Sequence, residues 1–239
     1  MSESPRNPPF RAEHIGSLLR PEELIRQRYL IADGKAPASS LPPIEQASIK
    51  DIVKLQQECG FKGITNGEHS RHQFWGTFFE TLDGMEEVNL REGGYDTSIF
   101  RMYAPGECHG ILLRIGGLAL NINSLADVNT YITEKHIPNA VCLAVGPIRH
   151  TGRSTILPEF EFLKTLVPSS QWGDIKLTLP SPSWYHLRYG PGRAYLKGVY
   201  EGDEPYFADV AKAYQVELGL LYEAGARNVQ VDDPNLACE

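Results

Sequence analysis

The chain has few cysteines, and none lie close together. Cys59, Cys108, Cys142 and Cys238 are scattered over 239 residues with no Cys-x-x-Cys pair. Ligands of structural zinc usually arrive in such pairs, so these four alone make a poor zinc site. They read as free thiols of a cytoplasmic protein. No run of 18 apolar residues occurs, so no segment has the length and character of a transmembrane helix. Residues 1–9 are polar and proline-rich and lack the apolar core of a secretory signal, and a disordered lead-in is expected there. Positive charge is also short: 23 Lys and Arg face 30 Asp and Glu, a formal net charge of −7. Nucleic acids and anionic membranes select basic faces, so neither is an expected partner. Finally, no Gly-x-Gly-x-x-Gly follows the first strand candidate, which weighs against a dinucleotide site.

What is present is an alternation of helix and strand. Pro21 opens a helix that runs to about Ala32, with Leu24, Ile25 and Ile31 on one face. A proline-containing loop, Lys35 to Pro43, leads to a second helix ending near Cys59, with Ile44, Ile49, Ile52, Val53 and Leu55 as its apolar stripe. Gly60 to Glu68 then reads as a helix stop, a short strand and an acid. Gly225 to Asp233 repeats that arrangement after a helix over Phe207 to Ala224. Strand candidates lie at Ala140 to Val145 and Asp174 to Leu179, with a helix over Leu157 to Leu166 between them. Ser98 to Tyr103 and Gly110 to Ile115, inside Tyr95 to Ile122, read as an inserted β-hairpin. With the opening His14–Ser17 segment this makes five core strands in an α/β arrangement. A doubly wound sheet and a TIM barrel both fit, and acids at strand ends favour the barrel, whose chemistry sits on the C-terminal face. The expectation is a partial (β/α)8 barrel over residues 10–239, with about five parallel strands.

Four clusters carry chemical promise. In His14-Ile15-Gly16-Ser17-Leu18-Leu19-Arg20-Pro21, a Gly-Ser between strand and helix exposes backbone N–H groups that can hold a carboxylate, or Ser17 is simply a helix cap. In Asn66-Gly67-Glu68-His69-Ser70-Arg71, with Phe74-Trp75 and Phe78-Phe79 following, Glu68 can meet an ammonium group or cap a helix. Pro180-Ser181-Pro182-Ser183-Trp184-Tyr185-His186 is a rigid aromatic loop that can stack a flat heterocycle or lie on the surface. In Val229-Gln230-Val231-Asp232-Asp233-Pro234, two neighbouring carboxylates at a strand end repel each other and are seldom accidental.

In this order the clusters resemble the cobalamin-independent methionine synthase family, most closely its single-domain branch, over nearly the whole chain from Phe10 to Glu239. The resemblance implies an S-methyltransferase joining homocysteine to the methyl group of methyltetrahydrofolate. It implies that Ile15, Gly16 and Ser17 meet the homocysteine carboxylate, that Glu68 and Asp232 hold its ammonium group, and that the Ser181–His186 loop, with Ser183, Trp184 and His186, borders the folate. His14 and Arg20 are substrate-side candidates by position. Asn66 departs from the Asp usual in related single-domain sequences. The family activates the thiol with zinc, since a thiol of pKa about 8.5 is mostly protonated at neutral pH. Its ligands, a His-x-Cys pair, a Glu and a distant Cys, come from strands six to eight. This chain has no His-x-Cys, so the resemblance implies the substrate-anchoring half of a barrel, truncated after the fifth strand, without catalytic or metal residues of its own. Open sheet edges would then favour self-association or a complementing fragment. Other readings stay open: a non-catalytic scaffold, a transferase acting on another thiol, or a decarboxylase of the same superfamily using Arg149 and Arg153.

Overall fold

A computed structural model of the protein describes residues 13–71, 76, 78–89, 140–189 and 191–233. The expected lead-in, the inserted hairpin, Phe74-Trp75, Cys108, Pro234 and Cys238 lie outside the described residues. Elements follow in the order α1 (Glu22–Ala32), α2 (Leu41–Glu58), β1 (Asp83–Asn89), β2 (Ala140–Arg149), α3 (Leu157–Lys164), β3 (Lys176–Pro180), α4 (Trp184–Tyr189), α5 (Asp203–Glu223) and β4 (Asn228–Asp232). The chain divides into two compact units. One takes the chain up to Phe78 with Gly152–Pro180 and Gln215–Asp232. The other takes Phe79–Thr151, Ser181–Tyr214 and the chain from Asp233.

In the first unit, α1 starts behind an extended Pro21, with Glu22 and Glu23 in the turn where the helix dipole favours acids. α2 carries prolines in its first turn and buries Ser48, Ile49, Val53 and Gln56. It ends where glycine can take the left-handed conformation. Gly60 has φ +78 and donates to the Gln57 carbonyl, and Phe61 donates back to the Gln56 carbonyl. α5 ends in the same way: Gly225 donates to Tyr222 and Ala226 to Leu221. The repeat seen in the sequence is therefore one helix-stop geometry used twice.

The strands after those two stops differ. β4 pairs with β3 in parallel, from Lys176↔Asn228 to Pro180↔Asp232. The stretch after Gly60 contributes a single parallel bridge, Ile64↔Ile175. Leu177 and Leu179 fill one face of β3. On the other face, Lys176 and Thr178 share a side with Gln230 and Asp232, because paired residues of parallel strands point the same way.

The second unit corrects the expectation of an all-parallel set. The strand expected at Ala140–Val145 extends to Arg149 and runs antiparallel to β1, which the sequence reading did not find. β1 is acidic and lacks a strand-like apolar alternation. It is held in place by cross-strand pairing and a bulge at Gly84. Gly84 has φ +81, and a Cβ there would collide with the carbonyl oxygens of Gly146 and Pro147. Among the described residues the strands thus number four, in two two-stranded sheets, rather than five parallel core strands. Cys142, Leu143, Ala144 and Ile148 of β2 are buried in this unit, as are Phe79, Tyr185, Tyr206 and Tyr214. Burial pushes the Cys142 thiol far above its ordinary pKa, which makes it an unreactive core residue. Among the described residues no helix is long and apolar enough to cross a membrane.

Candidate functional site

The first unit gathers its polar residues around Glu68. Glu68 is 1 % exposed and is the one described non-glycine residue with positive φ, at 58. A left-handed glutamate is uncommon, and neighbouring groups hold it there. Its N–H donates to Asn66 Oδ1 at 2.8 Å, and Arg20 Nη2 donates to its carbonyl at 2.9 Å. Arg20 and Arg28 both donate to the Arg71 carbonyl, and Arg28 also donates to that of His69. The turn from Glu68 to Arg71 is thus pinned by two guanidinium groups from the α1 side.

The Glu68 carboxylate meets three groups. Ser17 Oγ donates to Oε2, Thr178 Oγ1 donates to Oε1 at 2.9 Å, and Arg71 Nη2 lies 3.2 Å from Oε1. Arg71 in turn donates to the Thr178 carbonyl and hydroxyl. The Glu68–Arg71 pair is almost fully buried, which costs desolvation unless remaining donors and acceptors are matched, as Ser17 and Thr178 match them on the acid. Gly16 lies against the same carboxylate: a Cβ there would stand 3.3 Å from Oε1.

Asp232 stands on the same face of the sheet. Gln230 Nε2 donates both to its carboxylate and to the Ile15 carbonyl, which ties the end of β4 to the opening segment. Burial, followed by repulsion from Glu68, raises its pKa above the ordinary aspartate value against the pull of Gln230, Arg71 and Lys176. Lys176, buried on the same face, donates to the His14 carbonyl and lies 3.5 Å from Glu13.

Each residue expected at the site has a definite place. Gly16, Ser17, Glu68 and Asp232 come together. Ile15 enters through its carbonyl, while its side chain is 84 % exposed. His14 stacks on Phe61 at 4.2 Å, and burial and then Lys176 lower its pKa, which favours the neutral ring. Arg20 spends its guanidinium on backbone carbonyls. Ser183, Trp184 and His186 belong to the second unit, where Ser183 donates to Asp233 Oδ2 at 3.2 Å. Trp184 is buried and opens α4, so the stretch expected as a rigid loop turns helical at the indole. His186 Nε2 lies 2.9 Å from Asp203 Oδ2. Sequence reasoning missed Thr178, Lys176 and Gln230. The signal was available in the period-2 alternation of β3 and β4, which puts these side chains on the face of Asp232. Among the described residues no three His, Cys, Asp or Glu side chains converge as a bound metal requires, so the described residues do not fit the zinc implied by the resemblance.

A solved structure from Listeria monocytogenes, provisionally assigned as a vitamin-B12-independent methionine synthase, superposes with a TM-score of 0.62. The two are 28 % identical, and the match covers 96 % of this chain and 53 % of that one. A B12-independent methionine synthase from Shewanella sp. W3-18-1, solved with selenomethionine, matches with a TM-score of 0.51 and 20 % identity, over 84 % of this chain and 44 % of that one. The α/β fold is similar to that of these proteins. In sequence, the chain is 30 % identical over 232 residues to the uncharacterized protein YxjH of Bacillus subtilis strain 168, and 29 % identical over 231 residues to YxjG of the same organism. These matches take in 97 % and 95 % of this chain but 50 % and 49 % of the relatives, so the chain spans about half the length of the curated relatives it matches. No protein-family profile matches it.

Proposed function

We propose that the first unit is the amino-acid-holding part of a methionine-synthase-like methyltransferase, built on part of a (β/α)8 barrel. The observation that carries this reading is the placement of two electrostatically coupled carboxylates, Glu68 and Asp232, on one face beside the Gly16–Ser17 backbone. An α-amino acid is complementary to it. Its ammonium group lies against Asp232 and the free lone pairs of Glu68, and its carboxylate against N–H groups of the opening segment. The amino acid of this reading is homocysteine or methionine, in keeping with the selenomethionine bound by the Shewanella protein.

Arg71 and Thr178 hold the Glu68 carboxylate in orientation, so ligand binding need not order it, which lowers the entropic cost. Asp232 is the responsive acid: its raised pKa falls when a cation arrives. Methyltetrahydrofolate as donor, with Ser183, Trp184 and His186 beside it, and zinc as thiol activator belong to the same reading. The zinc ligands would lie outside the described residues, and the chemistry assigned to the described residues is binding and orientation of the amino acid. β4 also leaves an edge unpaired among the described residues, with Val231 46 % exposed, and a second copy or complementing polypeptide would pair there.

Calorimetric titration with L-methionine tests the reading. Expected is saturable binding that falls at least about tenfold, the equivalent of about 1.4 kcal/mol, for N-acetyl-methionine and for Asp232→Asn. Equal binding of methionine and its N-acetyl derivative would refute it.

A further inference from the structure

Gly67 and Glu68 both adopt a left-handed backbone, with φ 62 and 58. The Asn66 carbonyl accepts from the His69 N–H at 3.2 Å and closes the turn across them. Glycine tolerates this conformation, whereas a glutamate keeps it only where its surroundings over-determine it. The direction of the Glu68 carboxylate depends on the turn, because Cβ follows the backbone.

Asn66 is buried, and its Oδ1 accepts from the Glu68 N–H at 2.8 Å. That bond needs the amide oxygen on the Glu68 side and the NH2 on the other. The NH2 donates to Glu159 Oε2 at 2.7 Å and to the Ser70 hydroxyl at 3.1 Å. Ser70 Oγ donates in turn to Glu159 Oε1 at 2.7 Å, so each carboxylate oxygen of Glu159 accepts a bond. Glu159 stands in the first turn of α3, 93 residues from Asn66 in the chain. Burial raises its pKa, Arg71 and the two donors pull it down, and repulsion from Glu68 adds to the rise. An accepting carboxylate meets an amide through the NH2 and repels its oxygen, so Glu159 decides which way round Asn66 sits.

We propose that Asn66 and Glu159 are positioning residues for Glu68. The Glu159 carboxylate fixes the Asn66 amide, and the amide fixes the turn that aims the Glu68 carboxylate. The pair works as one amide and one acid. Two acids at this distance repel each other, whereas exchanging the two groups keeps a charge-assisted bond between them. The consequence for an amino-acid ligand rests on the function proposed above, while the coupling to Glu68 does not.

The test exchanges the two groups and uses two readouts. One is the methyl NMR signal of Thr178, whose hydroxyl is bonded to Glu68 Oε1, measured across pH without ligand. The other is calorimetric affinity for L-methionine. Asn66→Asp sets two carboxylates against each other, and they share one proton only at acidic pH. In this variant the Thr178 signal should be displaced at neutral pH and approach its wild-type position as the pH falls. Methionine should bind at least about tenfold more weakly at neutral pH. Asn66→Asp combined with Glu159→Gln restores one acid and one amide. It should return the Thr178 signal to its wild-type position at neutral pH and the affinity to within about threefold of wild type. The proposal is overturned if the exchanged protein departs from wild type as far as Asn66→Asp does, or if Asn66→Asp leaves the Thr178 signal in place at neutral pH. Should Asn66→Asp not fold, recovery of cooperative melting in the exchanged protein supports the proposal and its absence overturns it. The expected Thr178 behaviour in a protein whose wild type binds no methionine supports the positioning pair and refutes the amino-acid reading alone.

Discussion

Asp203 in the second unit and Asp232 in the first are both half-buried aspartates beside hydrogen-bond donors, yet their pKa values move in opposite directions. Burial opposes ionisation at Asp203, but His186, the Gly192 N–H and the Tyr195 hydroxyl all donate to it and outweigh burial, so its pKa falls. Asp232 has one donor, Gln230, and faces another acid, so burial wins and its pKa rises. The difference lies in how many donors each carboxylate already has. Asp203 has a partner for each oxygen and serves to join α4 and the loop before α5. Asp232 retains unused acceptor capacity beside a like charge, which is the condition of an acid that awaits a cation.

The largest effect is expected where the first unit compensates its other acid. Arg71→Met leaves Glu68 buried without its countercharge and should cost about 3–5 kcal/mol in chemical denaturation. Adding Glu68→Gln should recover part of that loss, and additive losses would show that the pair is not coupled. A smaller effect is expected in the second unit. Asp203→Asn keeps an acceptor but loses the charge-assisted bond to His186, and should cost about 1–2 kcal/mol. A cost as large as that of Arg71→Met would break the comparison, because Asp203 would then be a buried charge rather than a partly solvated one.

The subtlest effect is in pH dependence, and its sign differs between the two acids. Asp203 binds its proton less readily folded than unfolded. Its contribution to stability is present above the ordinary aspartate pKa and is lost as pH falls through its lowered value. Asp232 binds its proton more readily folded. Its contribution is present below the ordinary value and is lost as pH rises through that value toward its raised one. Asp203→Asn should therefore make the acid-side decline of stability shallower, and Asp232→Asn should remove a loss of stability that accompanies rising pH just above the ordinary aspartate pKa. Carboxyl-carbon NMR titration should show the two pKa values on opposite sides of the ordinary aspartate pKa. If both shift the same way, the contrast fails.

Much of this was legible in the residues. α1, α2, α3 and α5 fall where apolar spacing put them, with ends displaced by a few residues, because a buried stripe and a glycine stop are local features; α4 arises in the stretch expected as a rigid loop. β1 was not legible: Asp83–Asn89 is an acidic stretch whose strand character comes from its partner across the ladder, and cross-strand pairing leaves no local mark. Arg20 shows the limit within the site itself. Its position next to the Gly-Ser segment suggested a ligand-facing side chain, whereas the structure turns it to the carbonyls of Glu68 and Arg71.

The amino-acid order by itself set which acids exist, that each follows a helix stop, and that Gln230 and Asp232 share a face, since these depend on dihedral preference and the two-residue period of a strand. Only the tertiary structure decided which carboxylate is neutralised and which is left available. That depends on Arg71, Thr178 and Ser17 arriving from distant points in the chain, and Coulomb and desolvation energies are set by distance and burial in space.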